Sequence, residues 1–198
     1  MSDYWNNYYD LNKTPFEESG FAKFALNYIE GSVIDIGCGN GRDSIFFANN
    51  NLKTLGIDGS EVAINNLQNY ENNNLEFLHV DISKINLSNL NKLNNAYCRF
   101  LFHAINENAE EILLSWIKVN IKHNLLVETR VMKDSEVEMS KHYRRKINPD
   151  KFIQKLSDHK MEVVFSEVSN KFAPYNKKYN VNDLKDDPEI HRVVVKVN

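Results

Sequence analysis

The sequence predicts an α/β fold, a mostly parallel sheet covered by helices on both faces. Three observations predict it. Short apolar runs rich in β-branched residues alternate along the chain with stretches of helical period. The first run, "SVIDI", has no helical period and is bounded by glycines, which suits a strand buried on both faces. A glycine-rich turn, "GCGNG", joins that run directly to the next helical stretch, "RDSIFFANN".

Each element follows in order. The opening "DYWNNYYDLNKTPF" is rich in aromatics with little periodicity, whereas Phe21 to Ile29, "FAKFALNYI", has helical spacing and leads into Gly31 as a C-terminal stop. "SVIDI" is the first strand, "TLGID" at Thr54 to Asp58 the second and "LEFLHVDI" at Leu75 to Ile82 the third. Between the second and third, "SEVAINNLQNY" reads as a helix with Ser60 as its N-cap. "AYCRFLF" at Ala96 to Phe102 is a fourth strand, followed by an amphipathic helix, "AEEILLSWIKV", from Ala109. "NLLVET" at Asn124 to Thr129 is a fifth strand, and "PDKFIQKLSDH" is a helix with Pro149 in its first turn. "MEVVFSEV" at Met161 to Val168 and "HRVVVKV" at His191 to Val197 are two further β-rich strands.

A chain of 198 residues, 42% of them hydrophobic, fits one core, so residues 1–198 are expected to form a single domain. Within it, residues 1–30 would supply an N-terminal lid and helix, and 130–148 a connection able to bind an acceptor. The formal charge of -3 offers no general attraction for nucleic acid or anionic membrane. No apolar run reaches the roughly 18 residues that span a bilayer, and "MSDYWNNYYD" has no signal-peptide pattern, so a cytoplasmic protein is expected. Cys38 and Cys98 lie far apart with no ligand-spaced partners, so neither a disulfide nor a metal site is expected. The 29 asparagines cluster where loops are expected.

In an open sheet of this kind, ligands bind beyond the carboxyl ends of the strands. Gly37, Gly39 and Gly41 sit at that end of the first strand and allow a backbone to turn sharply against a ligand. A nicotinamide fingerprint would require glycine where Arg42 stands, so a dehydrogenase is disfavoured. Three carboxylates accompany the glycines: Asp35 beside them, Asp58 ending the second strand and Asp81 ending the third. Asp58 is placed for two ribose hydroxyls, Asp81 for an exocyclic amine of a purine, and Asp35 for a cationic group. So many acids with so little positive counterweight argue against a diphosphate. A ribose, an adenine and a positive charge together describe S-adenosylmethionine.

"VIDIGCGNGRDS", "LGIDGSEVAI" and "HVDIS" resemble the class I S-adenosylmethionine-dependent methyltransferases over the whole chain in strand order. The resemblance implies a Rossmann-like, seven-stranded sheet with an antiparallel last strand, and S-adenosylhomocysteine as product. It implies that Asp35, Gly37, Gly39 and Gly41 cradle the methionine portion, Asp58 the ribose, and Asp81 with Ile82 the adenine. It extends the cofactor set to Trp5, Cys38, Asn40, Arg42, Asp43, Gly59, Ser60 and Arg99. "YW", "GCGNGRDS", "RFLFHAI", "ETR" and "HYRR" further resemble small bacterial methyltransferases of capsule and surface-polysaccharide gene clusters, with a more distant likeness to tellurite- and thiopurine-type enzymes. The sequence departs from the family at "IKHN" before the fifth strand and "NAY" opening the fourth.

The acceptor side is read from the remaining polar residues. Arg99 and His103 lie near the end of the fourth strand, Glu128 and Arg130 at the end of the fifth, and His142, Tyr143, Arg144 and Arg145 in the basic "KHYRRK". A sugar hydroxyl would need a general base such as His103, His142 or Glu128. A phosphate or phosphoramidate oxygen needs holding, which arginines do with bidentate geometry. The basic cluster favours a small anionic acceptor, and the capsule resemblance implies the same, since some capsule clusters build an O-methyl phosphoramidate. The alternatives are a sugar-hydroxyl O-methyltransferase and a tellurite- or thiol-detoxifying methyltransferase. Nucleic acid is disfavoured because "AYCRF" replaces the Asn/Asp-Pro-Pro-aromatic motif and no basic face is apparent. Tyr4, Trp5 and Tyr9 would close over a sulfonium, whose charge suits aromatic faces.

Overall fold

The structure is a computed structural model and describes residues 2–85, 93–131, 145, 147–172 and 189–198. Seven strands form one sheet: β1 (Ser32–Ile36), β2 (Lys53–Asp58), β3 (Leu75–His79), β4 (Leu93–Arg99), β5 (Ile121–Val131), β6 (Glu162–Ser169) and β7 (Glu189–Lys196), in the spatial order β3-β2-β1-β4-β5-β7-β6. β1 to β5 run parallel, and β7 inserts antiparallel between β5 and β6, as the resemblance implied. The sequence order reverses at β1, where the chain first moves outward to β2 and β3 and then returns to β4, and this reversal opens a crevice at the carboxyl ends.

Alternation along the strands builds two cores. Ile34, Ile36, Leu125, Val127, Val193 and Val195 share one apolar cluster, whereas Val33, Leu126 and Val194, their neighbours along the strands, share another. Adjacent strand residues face opposite ways, so the clusters lie on opposite faces of the sheet. Helix α5 (Glu107–Asn120) and α6 (Pro149–Asp158) cover the first face through Leu113, Leu114, Ile117, Phe152 and Leu156. Helices α2 (Gly20–Ala25) and α3 (Arg42–Asn49) cover the second through Phe21, Ala22, Ala25 and Phe47. Buried Tyr97 on β4 stacks on Phe21 at 4.9 Å and meets Phe47 edge-on at 5.0 Å, contacts worth about 0.5–1.5 kcal/mol each beyond area burial. Its hydroxyl donates to Asp43 at 2.8 Å, tying the middle of the sheet to the start of α3.

Side-chain caps fix where helices start. Ser19, Ser60, Asn106 and Asn148 accept from the amides of Ala22, Ala63, Ala109 and Lys151, each cap contributing about 0.5–2 kcal/mol. Ser60 opens α4 (Glu61–Asn65) as its position predicts.

Several expected boundaries move. The aromatic N-terminal stretch forms α1 (Ser2–Leu11), because Tyr4, Trp5, Tyr8 and Tyr9 recur at helical spacing. The helix expected over 21–29 stops at Ala25, and the helix expected over 60–70 breaks after Asn65 into a 3-10 turn, Gln68–Tyr70. The third strand ends at His79, which leaves Asp81 and Ile82 in the following loop. The fourth strand ends at Arg99 because Phe100 takes a left-handed φ of 57°, so "FLF" forms the loop ahead of α5. His142, Tyr143 and Arg144 lie outside the described residues.

Candidate active site

The carboxyl ends of β1, β2, β4 and β5, the loop after β3, the loop before α5 and helix α1 together enclose a cavity of about 1120 Å³. Its floor is the glycine turn. Gly37 and Cys38 donate backbone hydrogen bonds to the Ile57 carbonyl at 2.8 and 3.0 Å, docking the turn onto β2. Asp58 then bridges two loops, accepting from the Gly39 amide at 2.9 Å and the Ser60 amide at 2.8 Å. Burial raises the Asp58 carboxyl above its ordinary value, opposed by those two amides.

Asp35 is 2% exposed at the end of β1, where the Ser44 hydroxyl donates to it at 2.6 Å. Burial pushes its carboxyl up to about 8, the nearby Asp43 charge pushing the same way and Ser44 opposing. Asp43 accepts from the Ser19 amide, the Ser19 hydroxyl and the Tyr97 hydroxyl, each at 2.8 Å, and the Arg42 guanidinium lies 3.4 Å away. Asp81 is exposed and caps the 3-10 turn Ile82–Lys84, and the Ser83 hydroxyl that donates to it holds its carboxyl below the usual range.

Helix α1 forms the roof. Tyr4, Trp5, Tyr8 and Tyr9 all line the cavity, and Trp5 stacks on Tyr9 at 6.0 Å. Polar contacts help hold this segment in place: Ser60 donates to Asn6 at 2.7 Å, Asn66 to the Tyr9 carbonyl at 3.1 Å, and Asn40 to the Thr14 carbonyl at 3.2 Å.

The opposite wall comes from β4, β5 and the loop before α5. Arg99 lines the cavity with its guanidinium 4.2 Å above the Phe100 ring, and its Nε donates to Glu128 at 2.8 Å. His103, 4% exposed, also lines the cavity; its Nδ1 lies 3.1 Å from the Thr129 hydroxyl and 3.4 Å from the Arg130 amide. An amide can only donate, so Nδ1 accepts and the neutral ring carries its proton on Nε2.

Of the residues expected to hold a cofactor, Trp5, Asp35, Gly37, Cys38, Gly39, Asn40, Arg42, Asp43, Asp58, Gly59, Asp81, Ile82 and Arg99 line this cavity. Gly41 and Ser60 stand behind its lining. A Cβ on Gly41 would meet Leu67 at 2.7 Å, so that glycine serves the packing of α3 against its neighbours rather than the approach of a ligand. Of the acceptor candidates, His103 and Arg130 line it and two others do not. Glu128 is 1% exposed, behind the lining, and gives one oxygen to Arg99 and the other to Arg192, each at 2.8 Å. Arg145 turns inward to Glu110 and to backbone carbonyls, behind the lining.

Residues 33–122 match the family described as a methyltransferase domain. No curated protein matches the sequence. Among solved structures, the chain is similar to a TehB-like SAM-dependent methyltransferase from Corynebacterium glutamicum, with 15% identity over 98% of this chain and 95% of that one, at a TM-score of 0.68. It is similar to a SAM-dependent methyltransferase from Methanosarcina mazei, with 12% identity over 91% and 98% of the two chains, at 0.69. It is also similar to the 1,6-didemethyltoxoflavin-N1-methyltransferase of Burkholderia thailandensis, with bound 1,6-didemethyltoxoflavin and S-adenosylhomocysteine, at 13% identity over 90% and 79% and a TM-score of 0.66. At these identities the likeness is one of fold, and the fold is the Rossmann-like methyltransferase fold.

The cavity also includes Tyr8, Phe16, His79 and Phe100, which the sequence did not single out. Tyr8 shared the aromatic signal of its neighbours, and His79 stood at a strand end. Nothing in the sequence marks Phe100, whose place in the wall depends on its unusual backbone.

Proposed function

We propose that this methyltransferase transfers a methyl group from S-adenosylmethionine to an oxygen of a small anionic acceptor, a phosphate or phosphoramidate on a capsule or surface-glycan precursor. The observation that carries the reading is the order of charges along the carboxyl edge of the sheet. Across β3, β2, β1, β4 and β5 the edge presents Asp81, Asp58, Asp35, Arg99 and Arg130, three acids and then two arginines. One cavity therefore has an acidic side suited to a cationic donor and a basic side suited to an anion.

The residues present fit the cofactor. Asp35, buried and accepting from the Ser44 hydroxyl, matches an ammonium group, and the Tyr9 hydroxyl closes over Gly39 in the glycine turn. Asp58 is placed to hold the ribose and Asp81 with Ile82 the adenine. Bound there, S-adenosylmethionine supplies an electrophilic methyl on a sulfonium. Tyr4, Trp5, Tyr8 and Tyr9 form a lid that excludes water and presents ring faces to positive charge. An anionic oxygen has no proton to lose, so the basic wall needs no base. Arg130 and the Nε2–H of His103 hold the acceptor by donation, and fixed geometry of this kind contributes up to about 7–11 kcal/mol.

The test is S-adenosylhomocysteine formation across phosphate monoesters, phosphoramidate monoesters, neutral sugars and small thiols. Turnover on the anionic acceptors is expected. Turnover confined to neutral sugars would overturn the anionic reading in favour of a basic His103, and turnover confined to thiols would make this a detoxifying methyltransferase.

A further inference from the structure

The loop between β4 and α5 forms much of the basic wall, with Phe100, Leu101, His103 and Ile105 lining the cavity. It begins at the left-handed Phe100 and makes a turn closed by the Ala104 amide on the Leu101 carbonyl at 2.8 Å. Buried carbonyls need donors, and one residue supplies those of Phe102, His103 and Ile105. Arg145, from the connection between β5 and α6, donates its backbone amide to the His103 carbonyl at 2.9 Å. Its Nε donates to the Phe102 carbonyl at 3.1 Å and to the Ile105 carbonyl at 2.9 Å. Its remaining guanidinium nitrogens reach Glu110 and Glu107 on α5. Glu110 is 1% exposed and also pairs with Lys155 of α6.

We propose that Arg145 is a positioning residue for methyl transfer: clamped by Glu110, it fixes the loop that carries His103 and so sets the acceptor wall of the cavity. The inference rests on the reading above that this wall faces the acceptor. It assigns Arg145 a place behind the wall, where a guanidinium works and an ammonium does not. A lysine keeps the charge for Glu110 but lacks the Nε–H shared by the two carbonyls and the planar fork that carries it. The acids that face the cofactor sit on β1, β2 and the loop after β3, away from this clamp.

The experiment compares the full-length wild type with Arg145→Lys and Arg145→Ala. Amide hydrogen exchange is read over residues 100–106 and over the glycine turn. The kinetic readouts are kcat/KM for whichever acceptor the panel identifies and the S-adenosylmethionine Kd by calorimetry. Arg145→Lys is expected to speed exchange in 100–106 only, to lower kcat/KM for the acceptor about 10- to 100-fold, and to leave the cofactor Kd within about twofold. If Arg145→Ala fails to fold, the lysine variant decides alone. Unchanged exchange in 100–106 overturns the clamp. Faster exchange with unchanged kcat/KM, or an equal loss of cofactor and acceptor affinity, overturns the positioning role. A wild type that uses only neutral acceptors overturns the anionic reading and leaves these readouts of the clamp intact.

Discussion

The Tyr9 hydroxyl stands so close over Gly39 that a Cβ built on the glycine would lie 2.3 Å from it. Gly39 also has a left-handed φ of 57°. A side chain here would carry backbone strain of about 1–2 kcal/mol and would push Tyr9 and its helix off the turn. Gly39→Val is expected to weaken S-adenosylmethionine binding by about tenfold or more while the sheet still folds. Calorimetry on a variant with a normal circular dichroism melt checks this, and wild-type affinity would refute the close fit.

Asp58 fastens the turn after β1 to the turn after β2 through two amides. Hydrogen bonds to a charged acceptor are worth about 1.5–3 kcal/mol, so Asp58→Ala loosens both loops. A rise of roughly 10- to 100-fold in the cofactor Kd is expected, with acceptor KM at saturating cofactor little changed. An unchanged Kd would sink the assignment of Asp58 to the ribose.

Asp35 makes the folded protein sensitive to pH. Its carboxyl is raised from an ordinary value of 3.8 to about 8, chiefly by burial, so the folded state keeps a proton that the unfolded chain gives up. The Asp35 contribution to stability therefore declines as pH climbs from 3.8 towards 8, and Asp35→Asn should flatten the fall of melting temperature over that window. An ammonium beside Asp35 favours its ionised form, so cofactor binding at pH 7 should release close to one proton. Calorimetry in buffers of different ionisation enthalpy measures that proton, and identical heats in all buffers would contradict the assignment.

Glu128 joins two arginines from different strands and cannot act as a base while both oxygens are occupied. Glu128→Ala leaves buried charges unpaired, a change that costs about 3–5 kcal/mol. Urea unfolding should show that loss. Glu128→Gln, if it folds, should keep the shape of the wild-type pH–rate profile. The disappearance of one limb of that profile would restore Glu128 as a base.

What could be read from the sequence was whatever depends on residue type at a strand end. The glycines after β1 and the acids Asp35 and Asp58 were legible because few other residues can turn a strand sharply or meet a cation there. The helix α1 was missed: Tyr4, Trp5, Tyr8 and Tyr9 stand at helical spacing, but the aromatic content of the stretch masked its period. The ion pairs of Glu128 and Arg145 were not legible because their partners, Arg192 and Glu110, lie 64 and 35 residues away, and periodicity carries no information about such pairings. Phe100 was hidden for a different reason: its backbone conformation opposes its own residue preference and is imposed by tertiary contacts.

The roof of the cavity is held by polar contacts and by the Tyr9 ring over Gly39. Among the described residues, none of the three apolar clusters takes a side chain from α1. Side-chain amides and a hydroxyl add to that hold, and water competes for such partly buried polar contacts. The chain between α1 and α2 should therefore yield to a protease well before the sheet does, shedding its aromatic helix from a core that still melts cooperatively.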